Sequence, residues 1–172
     1  MVIDVNEIPK EGLHIDQDFD FVSLDLVEED AVFLEPTHAV VEVKKVGSDV
    51  RVKGRITTRL SFVCSRCLRP FEYCVDSTFD LVYLPEELDE IKDEIEEEDL
   101  EKFFYYHQQL DLREIVLEQL NLSFPLRPLC SEECEGICPV CGELIHDGSC
   151  ACEVKVSDPR LEKLKSFLRD KR

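Results

Sequence analysis

Between residues 37 and 83 the apolar positions recur every second residue, the signature of strands with one buried face. In 37–46 (THAVVEVKKV) Ala39, Val41 and Val43 fall on one side, and Gly47-Ser48-Asp49 supplies a hairpin turn. The long strand 50–63 sets Val52, Ile56, Leu60 and Phe62 on one face. Residues 71–83 then gather Tyr73, Val75, Phe79, Leu81 and Tyr83 opposite Glu72, Asp76, Thr78 and Asp80. These segments predict an antiparallel meander of at least three strands. A further strand is expected over 20–27 (DFVSLDLV), and Lys102 to His107 read as a short strand whose aromatics fill core.

The period changes at Asp111, which with Glu114 forms a capping box for a helix over 112–122. Its stripe of Leu112, Ile115, Val116 and Leu120 is set to cover the sheet. A last helix is expected after Asp158-Pro159, apolar at Leu161, Leu164, Phe167 and Leu168. The fold class that follows is α+β: an antiparallel β-meander or partly closed barrel, one or two packed helices and a small cysteine-rich, zinc-binding carboxy-terminal module. The expected division is a β-rich core, 1–127, with an acidic insertion at 85–102, and a module at 128–172 with the terminal helix.

Charge alters this picture. The chain carries a formal −19, which argues against a general coating of nucleic acid. Its cations are unevenly placed: residues 44–69 hold eight bases and one acid, and 155–172 hold seven bases and three acids. Arg51, Lys53, Arg55 and Arg59 share one strand face. That face is either a solvated surface or a stripe that follows a phosphate backbone, joined by Arg66 and Arg69. Residues 86–101 hold eleven acids and one base, either a solubilising stretch or a polyanion that masks the stripe. No apolar run approaches the ~20 residues of a membrane span, and the first residues lack a secretory pattern, so a cytoplasmic protein is expected.

Six of the nine cysteines lie in CSEECEGICPVCGELIHDGSCAC, 130–152. In a reducing compartment clustered thiols point to metal. Cys138-Pro-Val-Cys141-Gly142 has the form of a zinc knuckle, a tight turn whose amides donate to sulfur. The remaining ligands come from Cys150 and Cys152 or from Cys130 and Cys134, with His146 as a substitute, and spacing does not choose. A closed thiolate set of this kind is structural, and about one zinc per chain is expected. Cys64-Ser-Arg-Cys67 is a second knuckle. It either ligates with the distant cluster or, as preferred on sequence separation, forms a reduced turn that projects Arg66 and Arg69 as part of a nucleic-acid-binding surface.

Taken together, VCSRCLRPF (63–71), the acidic stretch, PLCSEECEGICPVCGELIHDGSCAC (128–152) and SDPRLEKLKSFL (157–168) resemble the YceD family, named for accumulation of the large ribosomal RNA subunit. The shared elements are Cys64, Arg66, Cys67, Leu68, Pro70 and Phe71. The resemblance implies a non-enzymatic ribosome-biogenesis factor for 23S ribosomal RNA. The chain itself offers no nucleophile–base arrangement and no glycine-rich phosphate loop, so neither an enzyme nor a small-molecule substrate is expected. Two functions follow: an RNA-binding factor using the basic strand and the Cys-x-x-Cys turn, or an acidic adaptor holding a basic large-subunit ribosomal protein.

Overall fold

A computed structural model describes residues 1–22, 26, 31–85, 103–145 and 151–152. In chain order the elements are β1 (Val2–Asp4), β2 (Leu13–Phe19), β3 (Val32–Phe33), β4 (Thr37–Val46), β5 (Asp49–Val63), β6 (Pro70–Pro85), β7 (Phe103–Tyr105), β8 (Gln109–Asp111) and α1 (Leu112–Leu122). The main sheet runs β2-β4-β5-β6-β7, with β3 added beside β5, and β1 pairs separately with β8. The β4-β5-β6 meander is antiparallel, as its alternation predicts. Strand β7 joins β6 in parallel, which requires a crossover of a dozen or more residues; seventeen separate Pro85 from Phe103. The path has free edges at β2 and β7, so the described strands form an open sheet and no closed barrel.

One strand lies elsewhere than expected. Asp20, Phe21, Val22 and Leu26 belong to no strand, whereas Leu13–Phe19 pairs with β4 over its whole length. Ile15 and Phe19 are buried there, and His14, Asp16 and Asp18 are exposed. Gln17 at an inward position hides that alternation in the sequence, while the denser apolar run at 20–27 mimics a strand. Phe21 is nonetheless buried, stacked on Phe19 at 5.9 Å between ring centres. The terminal helix expected after Asp158 and the acidic stretch beyond Pro85 lie outside the described residues.

The apolar face of the meander and α1 share one core, which includes Val41, Val52, Ile56, Leu60 and Phe62 from the strands. Leu112, Ile115, Val116 and Leu120 of α1 are buried in it, and Asp111 caps the helix by accepting from the Arg113 amide at 2.9 Å. Phe62 is its aromatic hub, edge-on to Tyr73 at 5.4 Å and to Phe124 at 5.2 Å, with Phe71 at 6.3 Å. Phe71 also packs against Cys64, Cys67 and Cys134, so the core continues into the cysteine cluster. Of the aromatic run, Tyr105 is buried, whereas Tyr106 is half exposed at the start of the β7–β8 turn.

Gly54 is the one inward position of β5 without a side chain, and Phe79 stands opposite it. A Cβ on Gly54 would sit 2.4 Å from the Phe79 ring and 3.1 Å from Val41. Gly54→Ala should therefore displace the ring and destabilise the protein by about 1–3 kcal/mol, measured by chemical denaturation.

Candidate metal centre

At the end of β5 the chain turns through Cys64-Ser-Arg-Cys67-Leu68. The Cys64 amide donates to Arg69 O and the Leu68 amide to Cys64 O, both at 2.9 Å. Leu68 adopts a φ of 59°, a left-handed conformation that costs a leucine roughly 1–2 kcal/mol. The loop from Pro128 is bonded onto this turn. Ser65 N donates to Pro128 O at 2.8 Å, and the Arg66 guanidinium donates to Glu132 O at 3.1 Å and Cys134 O at 2.7 Å. Gly136, at φ +83°, lets that loop approach, because a Cβ there would meet Arg66 O at 3.0 Å.

The result is a set of four thiols, Cys64, Cys67, Cys130 and Cys134, whose sulfurs all lie within 4.8 Å of one another. Cys64 Sγ is 3.8 Å from Cys134 Sγ, and Cys67 Sγ is 3.7 Å from Cys130 Sγ. Zinc–sulfur bonds of ~2.3 Å in a regular tetrahedron give an edge of about 3.8 Å, so the donor set fits a structural metal. Cys64, Cys67 and Cys134 are buried.

The electrostatics are those of a site that favours a cation. Burial pushes the Cys64 thiol up, but the amides of Cys130, Cys67 and Arg66 outweigh it and hold the group down at about 6. The Arg69 amide likewise lowers Cys67. Burial, reinforced by the neighbouring sulfurs, pushes Cys130 up to about 12, and burial raises Cys134. Two readily ionised thiols thus face two reluctant ones. A divalent cation would offset the burial cost that keeps the second pair protonated.

The sequence preference for a separate Cys64–Cys67 turn does not hold. Sequence distance is no obstacle here, because the β5–β6 hairpin fixes that pair independently of the later loop. Both thiols are buried and face the sulfurs of Cys130 and Cys134 instead of a nucleic-acid surface. Arg66 is exposed but donates to the backbone carbonyls of Glu132 and Cys134, and Arg69, also exposed, helps to lower the Cys67 thiol, so both are engaged with the thiol centre. Of the remaining predicted ligands, Cys138, Cys141 and Cys152 form a second group within 4.8 Å. Cys150 and His146 lie outside the described residues. Cys74, on the exposed face of β6, belongs to neither group.

The basic stripe is present, on one face as predicted, and its cations already have carboxylate partners. Arg51 makes a two-bond pair with Asp80 at 2.8 and 2.7 Å, and Lys53 reaches the same carboxylate at 3.0 Å. Arg55 does the same with Asp76 at 2.7 and 2.6 Å, and Arg59 lies between Glu35 and Glu72 at 3.7 and 3.8 Å. Hydrogen bonds from Arg51 and Lys53 hold the Asp80 carboxyl well below the usual carboxylate range. The signal that sequence reasoning overlooked is spacing: Arg51, Arg55 and Arg59 repeat every four residues, and so do Glu72, Asp76 and Asp80 on the antiparallel neighbour. Each arginine meets its acid diagonally across the strand pair.

Fold and site together define a small α+β protein with a thiol centre, compatible with a metal ion, that clamps a cysteine-rich segment to one hairpin. No helix among the described residues is long and apolar enough to cross a membrane. The chain belongs to the YceD family, described as large ribosomal RNA subunit accumulation protein YceD, whose profile matches residues 52–168. Among curated proteins it is similar to "Uncharacterized protein Rv2926c" of Mycobacterium tuberculosis (strain ATCC 25618 / H37Rv) and "Uncharacterized protein Mb2951c" of Mycobacterium bovis (strain ATCC BAA-935 / AF2122/97). Each is 31% identical over 103 residues, 59% of this chain. The chain spans about half the length of these relatives, 48% of each. No solved structure matches.

Proposed function

We propose that the chain is a non-enzymatic factor supporting accumulation of 23S ribosomal RNA, and that it works by holding a basic large-subunit ribosomal protein. The ribosomal role rests on the family, whose description names it. The observation that carries the choice of partner is the pairing of Arg51, Lys53, Arg55 and Arg59 with Asp80, Asp76, Glu72 and Glu35. A phosphate backbone would have to break those pairs, whereas a basic protein meets a molecule whose formal charge is −19. One cleft suits such a partner. About 490 Å³ in volume, it is lined by Tyr83, Phe103 and Tyr105 beside Glu114 and Glu118, a setting for a lysine or arginine side chain. Burial, with lesser contributions from Glu118 and Glu114, pushes the Tyr83 hydroxyl up to about 12. The centre at Cys64, Cys67, Cys130 and Cys134 is assigned to structural zinc, which supplies no chemistry beyond holding the segment in place.

The test is a titration against purified basic large-subunit ribosomal proteins and, separately, fragments of 23S RNA, each at two salt concentrations. A salt-sensitive complex with a ribosomal protein, weakened by Glu114→Gln/Glu118→Gln, is expected, with little RNA binding by the unaltered chain. Asp76→Asn/Asp80→Asn should release Arg51, Lys53 and Arg55 and raise RNA affinity, most strongly at low salt. Steeply salt-dependent RNA binding by the unaltered chain, lost in Arg51→Gln/Arg55→Gln/Arg59→Gln, would establish the RNA-binding function instead.

A further inference from the structure

The turn that carries Cys64 and Cys67 is built a second time, from a different sequence. At Cys64 the amide donates to the carbonyl five residues on, Arg69 O, and the Cys64 carbonyl accepts from the residue four on, Leu68. At Cys138 the amide donates to Glu143 O at 2.7 Å, again five residues on, and the carbonyl accepts from Gly142 N at 2.8 Å, again four on. The residue after the second cysteine is left-handed in both, φ 59° at Leu68 and 76° at Gly142. The Val140 amide points at Cys138 Sγ, 3.4 Å away, and a bridge between Ile137 and Leu144 closes the turn as a miniature hairpin. Apart from the two cysteines, CSRCLR and CPVCGE share no residue, so the common backbone reflects a common geometric demand, two sulfurs held on one side of a tight turn.

At the first turn that demand is met by Cys130 and Cys134, which complete a four-thiol set. Those two are therefore not available to the second turn, and Cys152 approaches Cys138 and Cys141 there, with the three sulfurs within 4.8 Å. We propose that the chain binds two metal ions, the second at Cys138, Cys141 and Cys152, in a site separate from the four-thiol centre. Both sites select a soft divalent ion such as zinc, and each ligating thiol gives up its proton to the solvent on binding. They differ in access. Cys138 is buried, but Cys141 and Cys152 are exposed, whereas three of the four thiols of the first centre are buried. The second ion should therefore exchange first.

Cobalt(II) titration of the full reduced chain, followed by its thiolate charge-transfer absorption, tests this. Two equivalents per chain are expected in the unaltered protein and one in Cys138→Ser/Cys141→Ser, whose retained far-UV spectrum would show that the sheet is folded. With zinc bound, a chromophoric chelator should remove one equivalent quickly and the other at least tenfold more slowly, and the fast phase should vanish in the double variant. A reduced, unaltered chain that takes one equivalent, or a Cys138→Ser/Cys141→Ser variant that still takes two, would overturn it.

Discussion

Serine at Cys64 and Cys67 should remove the buried metal and release residues 128–136 from the hairpin, lowering stability by roughly 4 kcal/mol or more. That figure corresponds to free metal about 1,000-fold above its dissociation constant, and structural zinc in small domains reaches larger values. The effect is large because the donors come from segments 63 and 70 residues apart, and little apolar surface besides Phe71, Leu129 and Leu144 packs around them. Denaturation followed by far-UV circular dichroism is the suitable measurement, since the chain has no Trp. A chelator should bring the unaltered protein toward the variant and shift the variant far less, through the second thiol group alone. Equal stabilities with and without chelator would remove the metal from the account of this segment.

Phe62→Ala should cost about 3–5 kcal/mol, the usual range for emptying an aromatic site in a core. Phe62 is 1% exposed and touches three aromatics that belong to different parts of the fold: Tyr73 and Phe71 on β6 and Phe124 just after α1. Because Phe71 also lines the cysteine cluster, the loss should propagate there. Faster metal release to chelator is expected alongside the lower midpoint. Phe62→Leu, which keeps most of the volume, should retain the slow release.

The meander was readable because Val50, Val52, Ile56, Leu60 and Phe62 alternate cleanly with exposed positions, and α1 because Asp111 and its apolar stripe mark both start and face. Strand Leu13–Phe19 was not, since Gln17 occupies an inward position and removes the period-two signal. The ligand set was half legible. Cysteine density at 130–152 marks thiol clusters that could hold a metal, but the partition of thiols between two groups depends on the hairpin bringing Cys64 and Cys67 to Cys130 and Cys134, a tertiary fact with no local signature. The stripe of arginines was correctly placed on one face. Its neutralisation by β6 was written in the sequence as two matching four-residue spacings, but only strand pairing reveals that they coincide.

The same four-residue spacing bears on how the long hairpin finds its alignment. Sliding β5 against β6 by two residues keeps every side chain on its proper face and still brings arginines opposite acids: Arg55 and Arg59 would face Asp80 and Asp76 in one direction, and all three would face Asp80, Asp76 and Glu72 in the other. Charge alone therefore accepts several alignments. Shape does not, because the Phe79 ring occupies the notch at Gly54, and either shift would set it against Val52 or Ile56. Filling that notch should do more than lower the midpoint. It should make the alternative alignments competitive, so that folding yields a mixture of conformers, visible as doubled amide resonances along both strands.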